Sequence, residues 1–476
     1  MARRFLSGIS GSGTYNAFLF QELQILNQNS MTTDRREFLK YASAMAAGLG
    51  INGLLAGNAE GNTSTVSSET RVNLGVIGVG MGCRDMQGAL SGQAWVHCIA
   101  MCDVNRTRLE EQAARFRKEF PSQTSEVILY DDFRQLLENK DIHGVIIATP
   151  DHWHTYIFAE ALKAGKAVYV EKPVANSIAE CNAMLDLQKK YNRVVTTGLW
   201  QTSQKYFVGA NEILKTGVLG DVYKVQLWLC QSTDPRPVVE DAPAPATLNY
   251  DMWLGPACER PHNPYRVRSW RSFWDYGGGQ QTDWGVHWID SAFDGLEALG
   301  LSKRVFPKAV YSTAFKNQKS FNETPSCQTT IFRYDHFHIE WTQQVANLYN
   351  RNQGVAWIGS KATLVCNREG YELIPYVGRN SETTVEPILL TGPFEEGGIE
   401  AHTANWCGAI RDNSRLTNSP VEKGVFATIL AHMANISYRT GTAVVYDPEK
   451  RSFVGNDAAN QYLTPPYRAP WKLPAI

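Results

Sequence analysis

The order of apolar runs and turns predicts an α/β chain of two parts. The first is built on a parallel sheet; the second is an α+β domain with a mostly antiparallel, open sheet. Three observations predict this. Short apolar runs at Leu74–Ile77, Trp95–Cys102, Gly144–Ala148 and Ala167–Val170 alternate with amphipathic stretches, the rhythm of βαβ units. A glycine-rich turn, Gly78-Val79-Gly80-Met81-Gly82, follows the first run at once. After Gly220 the pattern changes to strand following strand, at 222–229, 329–334, 337–341, 355–360 and 362–366. At 476 residues the chain is long enough for two domains, expected at 71–198 and 199–445, with a tail at 446–476 that packs back on the body.

The first strand, the glycine turn and a helix over Arg84–Leu90 place backbone N–H groups and a helix N-terminus where a pyrophosphate binds, the Rossmann arrangement. The third glycine of G-x-G-x-x-G would fall at Cys83, with Gly82 one place early. Asp103 ends the second strand, 25 residues after Gly78, near the ~20 expected of an acid that binds ribose hydroxyls. A carboxylate there accepts from the diol and repels a 2′-phosphate, which favours NAD over NADP, although Arg106 and Arg108 nearby can pair with a phosphate. The third strand runs into Thr149-Pro150-Asp151-His152-Trp153-His154, and a helix is expected over Tyr156–Ala164, ending at Gly165. The fourth ends in Glu171-Lys172-Pro173, at the carboxyl edge where open α/β sheets bind ligands. The expected cofactor contacts are Gly78, Gly80, Met81, Gly82, Asp103, Arg106, Thr149, Pro150, His154, Glu171 and Lys172.

These residues resemble the Gfo/Idh/MocA family of sugar-type oxidoreductases, from about Arg71 to Leu473. The resemblance is carried by Ala148-Thr149-Pro150, Glu171-Lys172-Pro173, Trp253-Leu254-Gly255-Pro256 and the run Phe273-Trp274-Asp275-Tyr276-Gly277-Gly278-Gly279 that continues to Asp290. It implies that Asp283 and His287 face Lys172 across a nicotinamide. Residues four apart share one face of a helix, so a helix over Asp283–Leu299 can present both to one cleft. The resemblance further implies oligomer contacts through the open sheet. Related N-acetylgalactosaminidases share the fold and cleave glycosides without net redox, but lack the lysine that this chain keeps.

Near the N-terminus, Thr33-Asp34-Arg35-Arg36-Glu37-Phe38-Leu39-Lys40 resembles a twin-arginine export motif. The Ala- and Gly-rich run Tyr41–Ala56 after it is shorter than the ~20 apolar residues of a membrane span and reads as a signal h-region. The signal region is placed at 31–60, with cleavage near Ala59 or an uncleaved anchor. Met31 just before the motif is the expected start, which makes residues 1–30 an upstream extension. This points to the twin-arginine machinery as a partner and to a periplasmic or cell-envelope location, with NAD(H) bound before export and held tightly.

A net charge of −1 without a long basic run gives nucleic-acid binding no support. Nine cysteines, none in C-x-x-C, read as reduced core residues. The pairs His152/His154 and His336/His338 lack further ligands at metal spacing, so no metal is expected. The residues expected to bind a sugar are Gln201, Tyr265, Arg268 and Trp274. The expected reaction oxidises a CH–OH of a sugar, glycoside or cyclic polyol. His287 is the chosen base, Lys172 stabilises the alkoxide and Asp283 orients the imidazole; which of Lys172 and His287 is the formal base stays open. A redox-neutral cycle that oxidises, eliminates or epimerises, and reduces again is the alternative.

Overall fold

The computed structural model describes residues 71–231, 235–343, 348–378, 383–394 and 397–474. The extension, the twin-arginine segment and the cleavage site expected within residues 1–60 lie outside the described residues.

Strands β1 (Val72–Ile77), β2 (Val96–Cys102), β3 (Ile128–Tyr130), β4 (Gly144–Ile147), β5 (Ala167–Val170) and β6 (Val195–Thr197) form one sheet in the order β3-β2-β1-β4-β5-β6. Every pair in it is parallel. Both faces of such a sheet are covered by helices, which is why Val145, Ile146 and Ile147 run unbroken and fully buried. The strand order reverses between β1 and β4, which opens a crevice at their carboxyl ends.

The helix after β4 spans Asp151–Lys163, five residues earlier than the apolar pattern predicts. Pro150 precedes its first turn, and the polar residues that read as loop are buried by distant partners: His152 against Trp253, His154 against Pro173.

The second sheet contains β7 (Val222–Leu229), β8 (Ala309–Phe315), β9 (Cys327–Arg333), β10 (His338–Gln343), β11 (Gln353–Gly359), β12 (Ala362–Asn367), β13 (Gly370–Pro375) and β14 (Ile388–Thr391). Its order is β14-β13-β12-β11-β7-β10-β9-β8, antiparallel except for β7 beside β10. The helix Gly285–Ala298 crosses one face at close range. A Cβ on Gly295 would lie 2.4 Å from the Trp357 ring, whose Nε1 donates to the Ala292 carbonyl at 3.2 Å. The other face exposes Tyr311 and Ile331, with Lys224 paired to Glu340 at 2.5 Å.

The single helix expected over Asp283–Leu299 is two, Gly279–Asp283 and Gly285–Ala298, broken at Trp284. Thr282 folds its Oγ1 back onto the Gly278 N–H at 3.1 Å, and the Trp284 ring takes the Arg368 guanidinium at 4.6 Å. The chain end packs back on the first domain: Trp471 lies 5.0 Å from the Trp153 ring, and Tyr467 donates to Glu180 at 3.1 Å. All nine cysteines are unpaired.

Candidate active site

A cavity of about 370 Å³ opens at the carboxyl ends of β1, β2 and β4. Gly78 turns the chain there at φ +89°, and a Cβ would sit 2.6 Å from the Ala148 carbonyl oxygen. Gly80 and Met81 line the cavity, and no atom lies within 4 Å of a Cβ on Gly80, so a ligand can approach the backbone. Gly82 begins the helix Gly82–Ser91 with its Cβ position 2.6 Å from Val76 Cγ2. It therefore does the packing expected of a glycine one place later. Thr149 and Pro150 line the opposite wall, and Thr149 Oγ1 is buried without a hydrogen-bond partner. A bare glycine ledge, a helix N-terminus and an orphaned hydroxyl fit a dinucleotide.

Asp103 also lines this cavity, its carboxylate fixed by the N–H groups of Val79 at 3.0 Å and Asn105 at 2.8 Å. Burial raises its pKa despite these bonds. Arg106 departs from expectation: it turns to solvent and pairs with Glu110 at 2.7 Å and Asp131 at 3.3 Å, while Arg108 lines the cavity. Two positions along a helix point to different sides. The far wall comes from the second domain, through Leu248, Met252, Trp253, Arg268 and Trp270.

At the end of β5 the Lys172 ammonium donates to Asp283 Oδ1 at 2.6 Å and to the Asp283 carbonyl at 3.0 Å. Arg271 Nε donates to the same carboxylate at 3.1 Å, its guanidinium stacked 4.1 Å over Trp270. Burial works against the charge on Asp283, but Lys172 and Arg271 outweigh it and hold the carboxyl at about 2. His287 is buried and its Nδ1 has no hydrogen-bond partner. Burial, reinforced by the Arg368 and Lys172 cations, holds the imidazole neutral, well below the usual histidine range. No hydrogen bond joins Asp283 to His287 among the described residues. The break at Trp284 leaves Asp283 facing two cations instead of the imidazole it was expected to orient.

Other expected contacts serve elsewhere. His154 does not face the cavity; its two ring nitrogens lie 2.8 Å from the Pro173 carbonyl and 2.9 Å from the Thr149 carbonyl, so the ring, held neutral by burial, sits between the two ligand loops and donates to one of them. Glu171 is buried behind the lysine, bonded by the Lys172 N–H at 3.1 Å and reached by Arg84 at 3.5 Å. Gln201 is consumed inside, donating to Ser291 at 2.8 Å and accepting from Arg368 at 2.9 Å. Tyr265 packs against Phe273 and Phe321 and donates to Asn322 at 2.8 Å. Arg268 lines the nucleotide cavity and Trp274 a different one.

Sequence reasoning missed Asp151, the first residue of its helix. It is 2% exposed, its carboxyl makes no hydrogen bond or ion pair among the described residues, and its Oδ2 lies 3.2 Å from the Cβ position of Gly277. Burial raises its carboxyl well above the usual range, only partly opposed by Arg271. The available signal was an acid just after Pro150, four positions past the end of a fully apolar strand. Asp85 was missed too: burial and the neighbouring Glu171 carboxylate raise its carboxyl, and Arg84 binds it at 3.1 Å.

Residues 72–199 match the NAD-binding Rossmann fold of the oxidoreductase family GFO_IDH_MocA, and residues 212–296 and 398–473 match the C-terminal alpha/beta domain of the same family. The chain belongs to this family. The chain is 28% identical over 148 residues to an inositol 2-dehydrogenase of Salmonella typhimurium, covering 31% of this chain and 42% of that protein. A glycosyl hydrolase family 109 protein of Solibacter usitatus is also 28% identical, over 169 residues, 34% of this chain and 37% of that one. The chain thus spans less than half the length of these curated relatives. Among solved structures, a levoglucosan dehydrogenase in complex with NADH and levoglucosan superposes with TM-score 0.59 at 19% identity, covering 79% of this chain and 99% of that one. An aldose-aldose oxidoreductase from Caulobacter crescentus gives 0.57 at 16%, covering 79% and 99%. At these identities the likeness is one of fold.

Proposed function

We propose that the protein is an NAD-dependent oxidoreductase acting on a CH–OH group of a sugar, glycoside or cyclic polyol. The observation that carries this reading is the Lys172–Asp283 contact at 2.6 Å, at the end of β5, on the same sheet edge as the glycine ledge that follows β1. A bound nicotinamide supplies the hydride acceptor. Lys172 hydrogen-bonds the substrate oxygen and stabilises the negative charge that grows on it as the C–H bond breaks. Asp283 and Arg271 keep the lysine from turning away. His287 offers a neutral ring with an open Nδ1 to the hydroxyl proton. Well-placed acid–base groups of this kind contribute about 10²–10⁴ in rate. Asp103 supports NAD over NADP, because its carboxylate repels a 2′-phosphate.

The named relatives and fold neighbours that act on inositol, levoglucosan and aldoses support the substrate class. A cofactor walled in by Trp253 and Trp270 of the second domain also suits a redox-neutral cycle, as the likeness to a glycosyl hydrolase family 109 protein does. The twin-arginine motif at 33–40 supports export to the periplasm or cell envelope through that machinery. Tyr311 and Ile331 on the uncovered sheet face support a homo-oligomer.

The test is absorbance near 340 nm on the purified protein mixed with a panel of sugars and glycosides, with products analysed alongside. A stoichiometric rise, reversed by a keto-sugar, supports net oxidoreduction with a retained cofactor. Product without a lasting rise replaces it with the redox-neutral cycle, and neither signal overturns both.

A further inference from the structure

Trp274 was expected to bind the sugar with Arg268, yet it lines a second cavity of about 210 Å³. Gly277 and Gly278 also line that cavity, and the Cβ position of Gly277 lies 3.2 Å from Asp151 Oδ2. One thickness of backbone therefore separates it from the Asp151 side of the candidate active site.

The polar groups of this cavity divide into satisfied and open ones. Asp275 is matched by Arg260 at 2.6 Å. Glu180 accepts from the Asn176 N–H at 2.9 Å and from the Tyr467 hydroxyl at 3.1 Å. Arg439 differs: its guanidinium is held between two rings, 4.0 Å from Tyr462 and 4.9 Å from Trp274, and among the described residues it pairs with no carboxylate. The rings fix its plane and leave its N–H edge as a donor.

Two histidines line the same volume. His152 Nε2 lies 3.1 Å from the Trp253 carbonyl and His432 Nε2 lies 3.0 Å from the Ala175 carbonyl. A carbonyl only accepts, so each Nε2 carries the proton and each Nδ1 is left as an acceptor. The Nδ1 of His152 is buried and has no partner, and His152 as a whole is 3% exposed. An unmet buried acceptor costs free energy unless a ligand or water meets it.

A fixed donor edge, unmet neutral acceptors and flat aromatic walls suit a group that both donates and accepts and that also carries apolar C–H. A hydroxyl-bearing ring does all three. A carboxylate would leave the two imidazole acceptors unmet, and a cation would be repelled by Arg439. The volume is below the about 300–1,000 Å³ of pockets for drug-sized ligands, which limits the occupant to one ring. We propose that this cavity is a second carbohydrate site, taking one neutral sugar ring through Arg439, His152 and the Trp274–Tyr462 walls.

Titration calorimetry of the purified, cofactor-loaded protein with neutral monosaccharides and their methyl glycosides tests it. Arg439→Gln is expected to remove one equivalent of bound sugar per chain, or to weaken its Kd at least tenfold. Arg439→Lys keeps the charge but loses the flat fork, and is expected to weaken binding in the same direction. It carries the test if the first variant does not fold, as checked by its Tm. Unchanged stoichiometry and Kd would overturn the proposal and leave the cavity to water. The 340 nm absorbance of the same samples separates the two readings. Lost sugar equivalents without any hydride transfer would sink the oxidoreductase and leave the second site standing. Hydride transfer with identical binding in wild type and variants would do the reverse.

Discussion

One residue holds the Lys172 ammonium twice: Nζ lies 2.6 Å from the side-chain carboxylate of Asp283 and 3.0 Å from its backbone carbonyl. The lysine is thus pointed by an element of the second domain while its backbone belongs to the first. Lys172→Ala should lower kcat by about 10²–10⁴ and leave nucleotide bound, as assayed by its release on denaturation. Full activity in that variant would remove Lys172 from the mechanism.

Asp283 ties this pair to acid stability. Its carboxyl is held at about 2, below its ordinary 3.8. A depressed folded-state value adds stability that is complete above about pH 4 and lost as pH falls through about 2. Asp283→Asn should therefore lower the urea midpoint at neutral pH and flatten its fall between pH 4 and 2. A wild-type acid limb in the variant would mean that other groups carry it.

Asp151 carries the opposite sign. Burial raises its carboxyl, so its contribution is fully present below pH 3.8 and lost as pH rises through the folded-state value. Asp151→Asn keeps the shape and removes the ionisation. The variant should gain Tm relative to wild type as pH rises, and a constant difference across pH would contradict this.

At Gly78 backbone conformation and space both forbid a side chain, with φ +89° and a Cβ 2.6 Å from a carbonyl oxygen. Gly78→Ala should cost about 1–3 kcal/mol of stability and empty the nucleotide cavity. Retained nucleotide and an unchanged Tm would show that the turn can adjust.

At Asp103, replacement by Ser removes the charge that opposes a 2′-phosphate while Arg108 stays on the same wall. The ratio of kcat/KM for NADP over NAD should rise about tenfold or more. An unchanged ratio would place the discrimination elsewhere.

The first domain was legible because its signals are local. The run before Gly78, the acid at Asp103 and the lysine after β5 sit within a few residues of the backbone features that use them. The substrate side was less legible because its contacts span long separations. Gln201 is taken by Arg368, 167 positions away, and Tyr265 by Asn322, so neither is free for a ligand. Arg106 and Arg108 were indistinguishable as charges, and helix phase alone decided which lines the cavity. The break at Trp284 was hidden because Gly285 sits in an otherwise helical, apolar run. Trp274 followed from composition, but the backbone at Gly277 put it on the other side of a wall.

His154 reaches one carbonyl on each of the two loops that meet at the cofactor, at Thr149 and at Pro173. The loop that grips the dinucleotide and the loop that presents the lysine are thereby packed on a single ring, whose one N–H at neutral pH bonds one of the two carbonyls. Loosening the grip at this point also misaims the lysine. Cofactor retention and catalytic rate are therefore inherited as one trait here, and selection acting on either will drag the other with it.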